Sequence, residues 1–144
     1  MAILTGYLGT YDSPRSRGVF RFSFDGETGR AHRARAPLEA PDAKYLALRD
    51  GLLAAPVRRG SRAGSASPTC APPAGLRRRI SLQMTPGCYT AFDGDRVNGA
   101  NFHEGTVTVY RLEADAPLFE KRIEIARAGC HQVLRGGGSC LCPA

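Results

Sequence analysis

The sequence predicts an all-β fold, a partial β-propeller of about three four-stranded blades. Three observations predict it. Short runs alternate apolar and polar residues, which is the period of a strand. Turn-forming Asp, Gly and Pro residues punctuate those runs at close spacing. The pattern then repeats at about 44 residues, the size of one propeller blade. A generic antiparallel sandwich also has short strands and frequent turns, but it does not require that phase.

The elements follow in chain order. Residues 18–24 (GVFRFSF) predict a strand, closed by the turn Asp25-Gly26-Glu27-Thr28-Gly29 and followed by a strand over 30–36. Residues 41–48 (PDAKYLAL), 86–92 (PGCYTAF) and 128–134 (AGCHQVL) begin three equivalent strands. Tyr45 and Tyr89 stand 44 apart, and Cys88 and Cys130 stand 42 apart. Arg49-Asp50-Gly51 and Asp93-Gly94-Asp95 turn the first two of these into second runs, 52–57 (LLAAPV) and 96–101 (RVNGAN). Residues 105–112 (GTVTVYRL) repeat 18–24, with Val19 and Val107 two phases apart at 88 residues. A turn at 113–117 and a strand over 119–126 come next.

One copy is missing. The middle equivalent of Val19 and Val107 falls near residue 63, inside SRAGSASPTCAPPAG (61–75), which holds three prolines and no Val, Ile, Leu, Phe or Tyr. Proline removes a ladder donor from a central strand. The phase resumes afterwards, since Ile80-Ser81-Leu82 matches Ile123-Glu124-Ile125 at 43 residues. The segment therefore keeps the length of a strand without its pattern. Two readings stand: a variable loop, or a reading-frame disturbance in GC-rich DNA, consistent with 18 Arg against 2 Lys. The chain is expected to form one incomplete propeller domain over 1–144, irregular at about 58–79 and again in the tail at about 135–144.

Composition narrows the function classes. The net charge of +7 invites a nucleic-acid reading. However, Arg58, Arg59, Arg62, Arg77, Arg78 and Arg79 supply six of those charges, with no aromatic residues interleaved to stack on bases. No nucleic-acid partner is expected. No apolar run approaches a transmembrane span, so no membrane partner is expected. The N-terminus lacks the basic start of a signal peptide, and a cytoplasmic location is the expectation. Five cysteines without a secretion signal argue against a disulfide framework. Cys88 and Cys130 read as buried thiols, and Cys140-x-Cys142 lacks the second pair of a zinc site.

Several stretches resemble a known family. TGYLGTY (5–11) followed by SRGVFRFSFDGETG (16–29) is similar to the opening of the 6-phosphogluconolactonase family of seven-bladed propellers, with Phe20 where that pattern often has Tyr. GANFHEGTVTVY (99–110) and CHQV (130–133) resemble later segments of the same family in the same order. Members have seven blades, so the chain resembles an N-terminal fragment holding about three. The resemblance implies hydrolysis of the ester bond of 6-phosphogluconolactone, a sugar lactone, in the pentose phosphate pathway. It implies no metal or organic cofactor. His131, matching the family's histidine at an inner-strand start, is the candidate catalytic base. Asn101 and His103 are candidate substrate contacts, although Asn101 can equally bond its own turn and His103 can be solvated. Arg15 and Arg17 can meet a phosphate but read better as surface residues, as does His32. The arginine and glutamate partners that the family supplies have no counterpart here, so the chain alone is expected to be inactive. A non-enzymatic binding propeller and a nonfunctional frameshifted product are the alternatives. Open sheet edges predict self-association of the isolated chain.

Overall fold

A computed structural model describes residues 2–11, 13–15, 18–33, 40, 42–58, 78–84, 87–114, 116–125, 129–136 and 139–141. They form twelve strands: β1 (Ile3–Gly9), β2 (Val19–Asp25), β3 (Ala31–Arg33), β4 (Ala47–Arg49), β5 (Leu52–Arg58), β6 (Arg78–Met84), β7 (Tyr89–Asp93), β8 (Arg96–Asn101), β9 (Thr106–Glu113), β10 (Ala116–Glu124), β11 (Leu134–Gly136) and β12 (Ser139–Leu141). The sheets are β1-β2-β3, β4-β5-β6, β7-β8-β9-β10 and the hairpin β11-β12. No helix occurs among the described residues, so none is long and apolar enough to cross a membrane.

The third sheet is the complete unit, a four-stranded antiparallel meander. Its fellows start where the 44-residue phase puts them: β5 begins at Leu52 and β8 at Arg96. The second sheet departs from the expected four strands. β6 lies directly beside β5 and runs parallel to it, from Leu52 opposite Arg78 to Arg58 opposite Met84. In a meander, the second and fourth strands run in the same direction. A fourth strand placed against the second is therefore parallel, and the connection between them has the length that a parallel crossover needs. Residues 59–77, which carry most of the irregular segment, lie outside the described residues. In the tail, expected to be irregular, residues 134–136 pair with 139–141.

The core lies between the sheets rather than inside one pair. Val19, Ala40, Ala43, Leu53 and Ala55 join the first sheet to the second, with Tyr7 and Leu46 packed against them. Leu52, Ala54, Val97 and Tyr110 join the second to the third. Ala100, Val107, Val109, Cys130 and Val133 join the third to the segment entering β11. Thus β5 buries Leu53 and Ala55 on one face and Leu52 and Ala54 on the other. β9 does the same with Val107 and Val109 against Tyr110. A sandwich has one core between two sheets. Sheets buried on both faces and stacked in series are what a propeller requires. The first sheet's other face pairs Leu4 with Phe24 and Leu8 with Phe20, and Leu4 and Leu8 are more than half exposed.

Local chemistry explains the turns. Asp50 (φ 49°) and Gly51 (φ 75°) both take the left-handed conformation that a two-residue hairpin needs between β4 and β5. The strand expected at 119–126 begins earlier, at Ala116. β10 is an edge strand, so Pro117 sacrifices no obligatory ladder bond. A bulge between Phe119 and Lys121 re-aims Glu120, which receives Arg96 Nε at 2.8 Å and Nη2 at 3.2 Å.

At the β2–β3 turn, Asp25 Oδ1 accepts from the Glu27 and Thr28 amides at 2.9 and 3.3 Å, and Oδ2 accepts from Thr28 Oγ1 at 2.7 Å. Gly29 completes the turn at φ 69°. The Thr28 hydroxyl, then the Glu27 amide, hold the Asp25 carboxyl below its ordinary value of 3.8. A lowered folded value means that its contribution is present above pH 3.8 and is lost as pH falls through the folded value. Urea unfolding of the native chain and Asp25→Asn should therefore differ at pH 6, with the gap closing below pH 3.8. A gap independent of pH would refute this.

Candidate active site

Three loops and strand starts bring the candidate residues together. Asn101 ends β8 and is almost wholly buried. Its Oδ1 accepts the Glu104 amide at 3.2 Å, which shapes the turn into β9. Its Nδ2 has no hydrogen-bond partner among the described residues. Asn101 therefore serves first as a turn residue. It also stands on the second strand of its sheet, not the innermost, because β7 occupies the edge.

Phe102 and His103 follow on that turn, and both are exposed. The Phe102 ring lies 4.5 Å from the His131 ring, tilted at 44°, and 5.6 Å from the His103 ring, edge to face at 78°. Phe102 thus bridges the two histidines. It fits because position 129 is glycine: a Cβ there would overlap the Phe102 ring. The segment that carries His131 and the β8–β9 turn are fitted to one another at that point. Behind His131, Cys88 Sγ donates to the carbonyls of Cys130 at 3.1 Å and His131 at 3.5 Å. Cys88 is a free, partly buried thiol as expected. Cys130 is buried as expected but is disulfide-bonded rather than a thiol. A cysteine count says nothing about which sulfurs the fold brings together.

The family resemblance pointed to His131, and position at strand ends and turns to Asn101 and His103, each separately. Phe102, which unites them, escaped notice because an aromatic residue in a turn has no periodicity to flag it. A second group was half visible. Tyr45, Tyr89 and His131 hold equivalent positions in successive repeats: Tyr89 begins β7, and Tyr45 and His131 precede β4 and β11. The Tyr45 and Tyr89 rings meet at 6.5 Å and 60°. Near the same positions, Lys44 Nζ lies 4.7 Å over the Tyr11 ring. Arg15 is exposed and His32 is exposed on β3, both as the surface reading expects; Arg17 lies outside the described residues. Among the described residues, no group of three His, Cys, Asp or Glu side chains converges as a metal site would.

An exposed imidazole packed on a phenyl ring is the kind of group from which general bases are drawn.

A family model described as "Lactonase, 7-bladed beta-propeller" matches residues 5–133. An uncharacterised protein of Staphylococcus epidermidis is 26% identical over 124 residues, covering 83% of this chain and 36% of that protein. One of Staphylococcus saprophyticus is 28% identical over 116 residues, covering 77% and 34%. Among solved structures, a Lactobacillus plantarum protein superposes with a TM-score of 0.66 at 18% identity, covering 86% of this chain and 38% of that one. A Bacteroides fragilis protein described as a "putative 6-phosphogluconolactonase" gives 0.66 at 22% identity, covering 92% and 42%. At these identities the structures speak for the fold. The chain spans about a third of the length of the sequence relatives and about two fifths of the solved structures.

Proposed function

The chain belongs to the lactonase family of seven-bladed β-propellers, and from that premise we propose that it is the N-terminal part of a lactone hydrolase. The observation that carries this reading is the His131 imidazole, exposed in the segment entering β11 and packed on Phe102. In the proposed reaction a water oxygen attacks the lactone carbonyl carbon while His131 takes the water's proton. The ring C–O bond then breaks, and His131 returns the proton to the leaving alkoxide. The product is the open hydroxy acid, and atoms balance without a redox partner. The substrate favoured by the resemblance, and by the likeness to the Bacteroides fragilis protein described as a "putative 6-phosphogluconolactonase", is 6-phosphogluconolactone, giving 6-phosphogluconate.

The 144 residues supply the base but not the arginine and glutamate partners, so the portion is inactive by itself and its activity needs the remaining blades. The test is lactone hydrolysis by this chain and by the same chain extended with those blades. Only the extended form should turn over. His131→Ala in it should lower kcat by about 10²-fold, the low end of what a general base contributes, with KM little changed. Unchanged kcat would sink the assignment. Lactone binding without turnover in the extended form would instead favour the non-enzymatic binding propeller.

A further inference from the structure

We propose that Tyr45 and Tyr89 form a sugar-ring platform, a binding subsite that accepts the C–H face of a polyhydroxylated lactone or its acid. The proposal rests on the lactonase reading for the ligand's class, but its geometry stands apart from the chemistry. Tyr45 and Tyr89 hold the same position in successive repeats, and His131 holds it in the next. Tyr45 is 43% exposed and belongs to none of the three hydrophobic clusters. Its ring meets the Tyr89 ring and leaves much of its surface open to a ligand.

The ring geometry selects what can bind. A flat ligand sandwiched between two aromatic rings needs them parallel and about 7 Å apart, twice the carbon–carbon contact distance. Here the centroids are 6.5 Å apart and the planes are inclined at 60°. Nothing can be inserted between such rings. A puckered ring can instead lie across them, its axial hydrogens against the electron-rich ring faces and its hydroxyls near the two phenol groups. That is the shape of a sugar lactone.

The chain contains no tryptophan, so its emission comes from five tyrosines, and aromatic NMR separates Tyr45 and Tyr89 from the other three. Gluconate, a stable product-type acid, is the probe, titrated into the 144-residue chain by fluorescence and by aromatic NMR. Saturable shifts of Tyr45 and Tyr89 signals are expected. Tyr45→Ala should weaken binding about tenfold, while Tyr45→Phe, which keeps the ring face, should stay within about threefold. Tyr11→Ala, which alters another exposed tyrosine, should leave binding unchanged. Unmoved tyrosine signals, or equal affinity in Tyr45→Ala and the native chain, would overturn the platform. The two readings fail separately. Tyr45-dependent gluconate binding by an extended form that hydrolyses no lactone would leave the platform standing and remove the lactonase. Hydrolysis indifferent to Tyr45 would do the reverse.

Discussion

Replacing residues 62–69 with the β9 sequence Thr106–Glu113 is expected to turn the second sheet into a four-stranded antiparallel meander and raise stability by about 3 kcal/mol. The replaced residues lie 44 positions before β9, where the repeat phase asks for a third strand. At present β6 occupies the hydrogen-bonding edge of β5 in parallel. A grafted strand with the β9 alternation would offer that edge an antiparallel neighbour and displace β6 outward by one place. The model for the outcome is the third sheet, where Val107 and Val109 bury one face and Tyr110 the other. Burying such side chains is worth about 1.5–3 kcal/mol each. Ordering the new strand opposes this gain, and pairing along both of its edges adds to it. A Tm about 10 °C higher should follow for a domain of this size. Hydrogen exchange checks the topology: amides of Leu52–Arg58 should become more protected. An unchanged Tm with unchanged protection would mean that the parallel pairing is the preferred state and the phase argument fails.

Leu53→Ala should cost about 3 kcal/mol, whereas Leu48→Ala, one strand away, should cost less than about 0.5 kcal/mol. Leu53 is fully buried between the first two sheets, and Leu48 is more than half exposed. Large-to-small changes in a close-packed core lose both transfer free energy and contacts around the cavity. Leu52→Ala discriminates between architectures. It faces the opposite way, into the cluster with Val97 and Tyr110, and should cost a similar amount. In a sandwich, one face of a strand is solvated, so adjacent residues on a strand cannot both be expensive. Chemical denaturation of the three variants measures this. A cost below about 1 kcal/mol for either Leu52 or Leu53 would contradict burial on both faces.

Much of the site was legible in part. His131 follows Gly129-Cys130 at a repeat start, and His103 and Asn101 lie in a turn, so sequence could place them at strand ends. What it could not supply was contact across the chain. Phe102 reaches His131 only because the β8–β9 turn and the segment entering β11 pack together, with Gly129 leaving the room. The disulfide at Cys130 was likewise beyond spacing arguments.

The sequence by itself determined the strand periods, the turn at Asp25 to Gly29 with its hydroxyl and amide donors, the hairpin at Asp50-Gly51, and the 44-residue phase. These are local matters, settled by dihedral preference and by donors a few residues away. Only the tertiary structure decided that β6 pairs with β5 in parallel, that the sheets bury both faces in series, and that Phe102 joins His103 to His131. Each of those depends on which distant edge or ring is available when the strands come together. That availability is a property of the assembled fold, not of any short stretch of the chain.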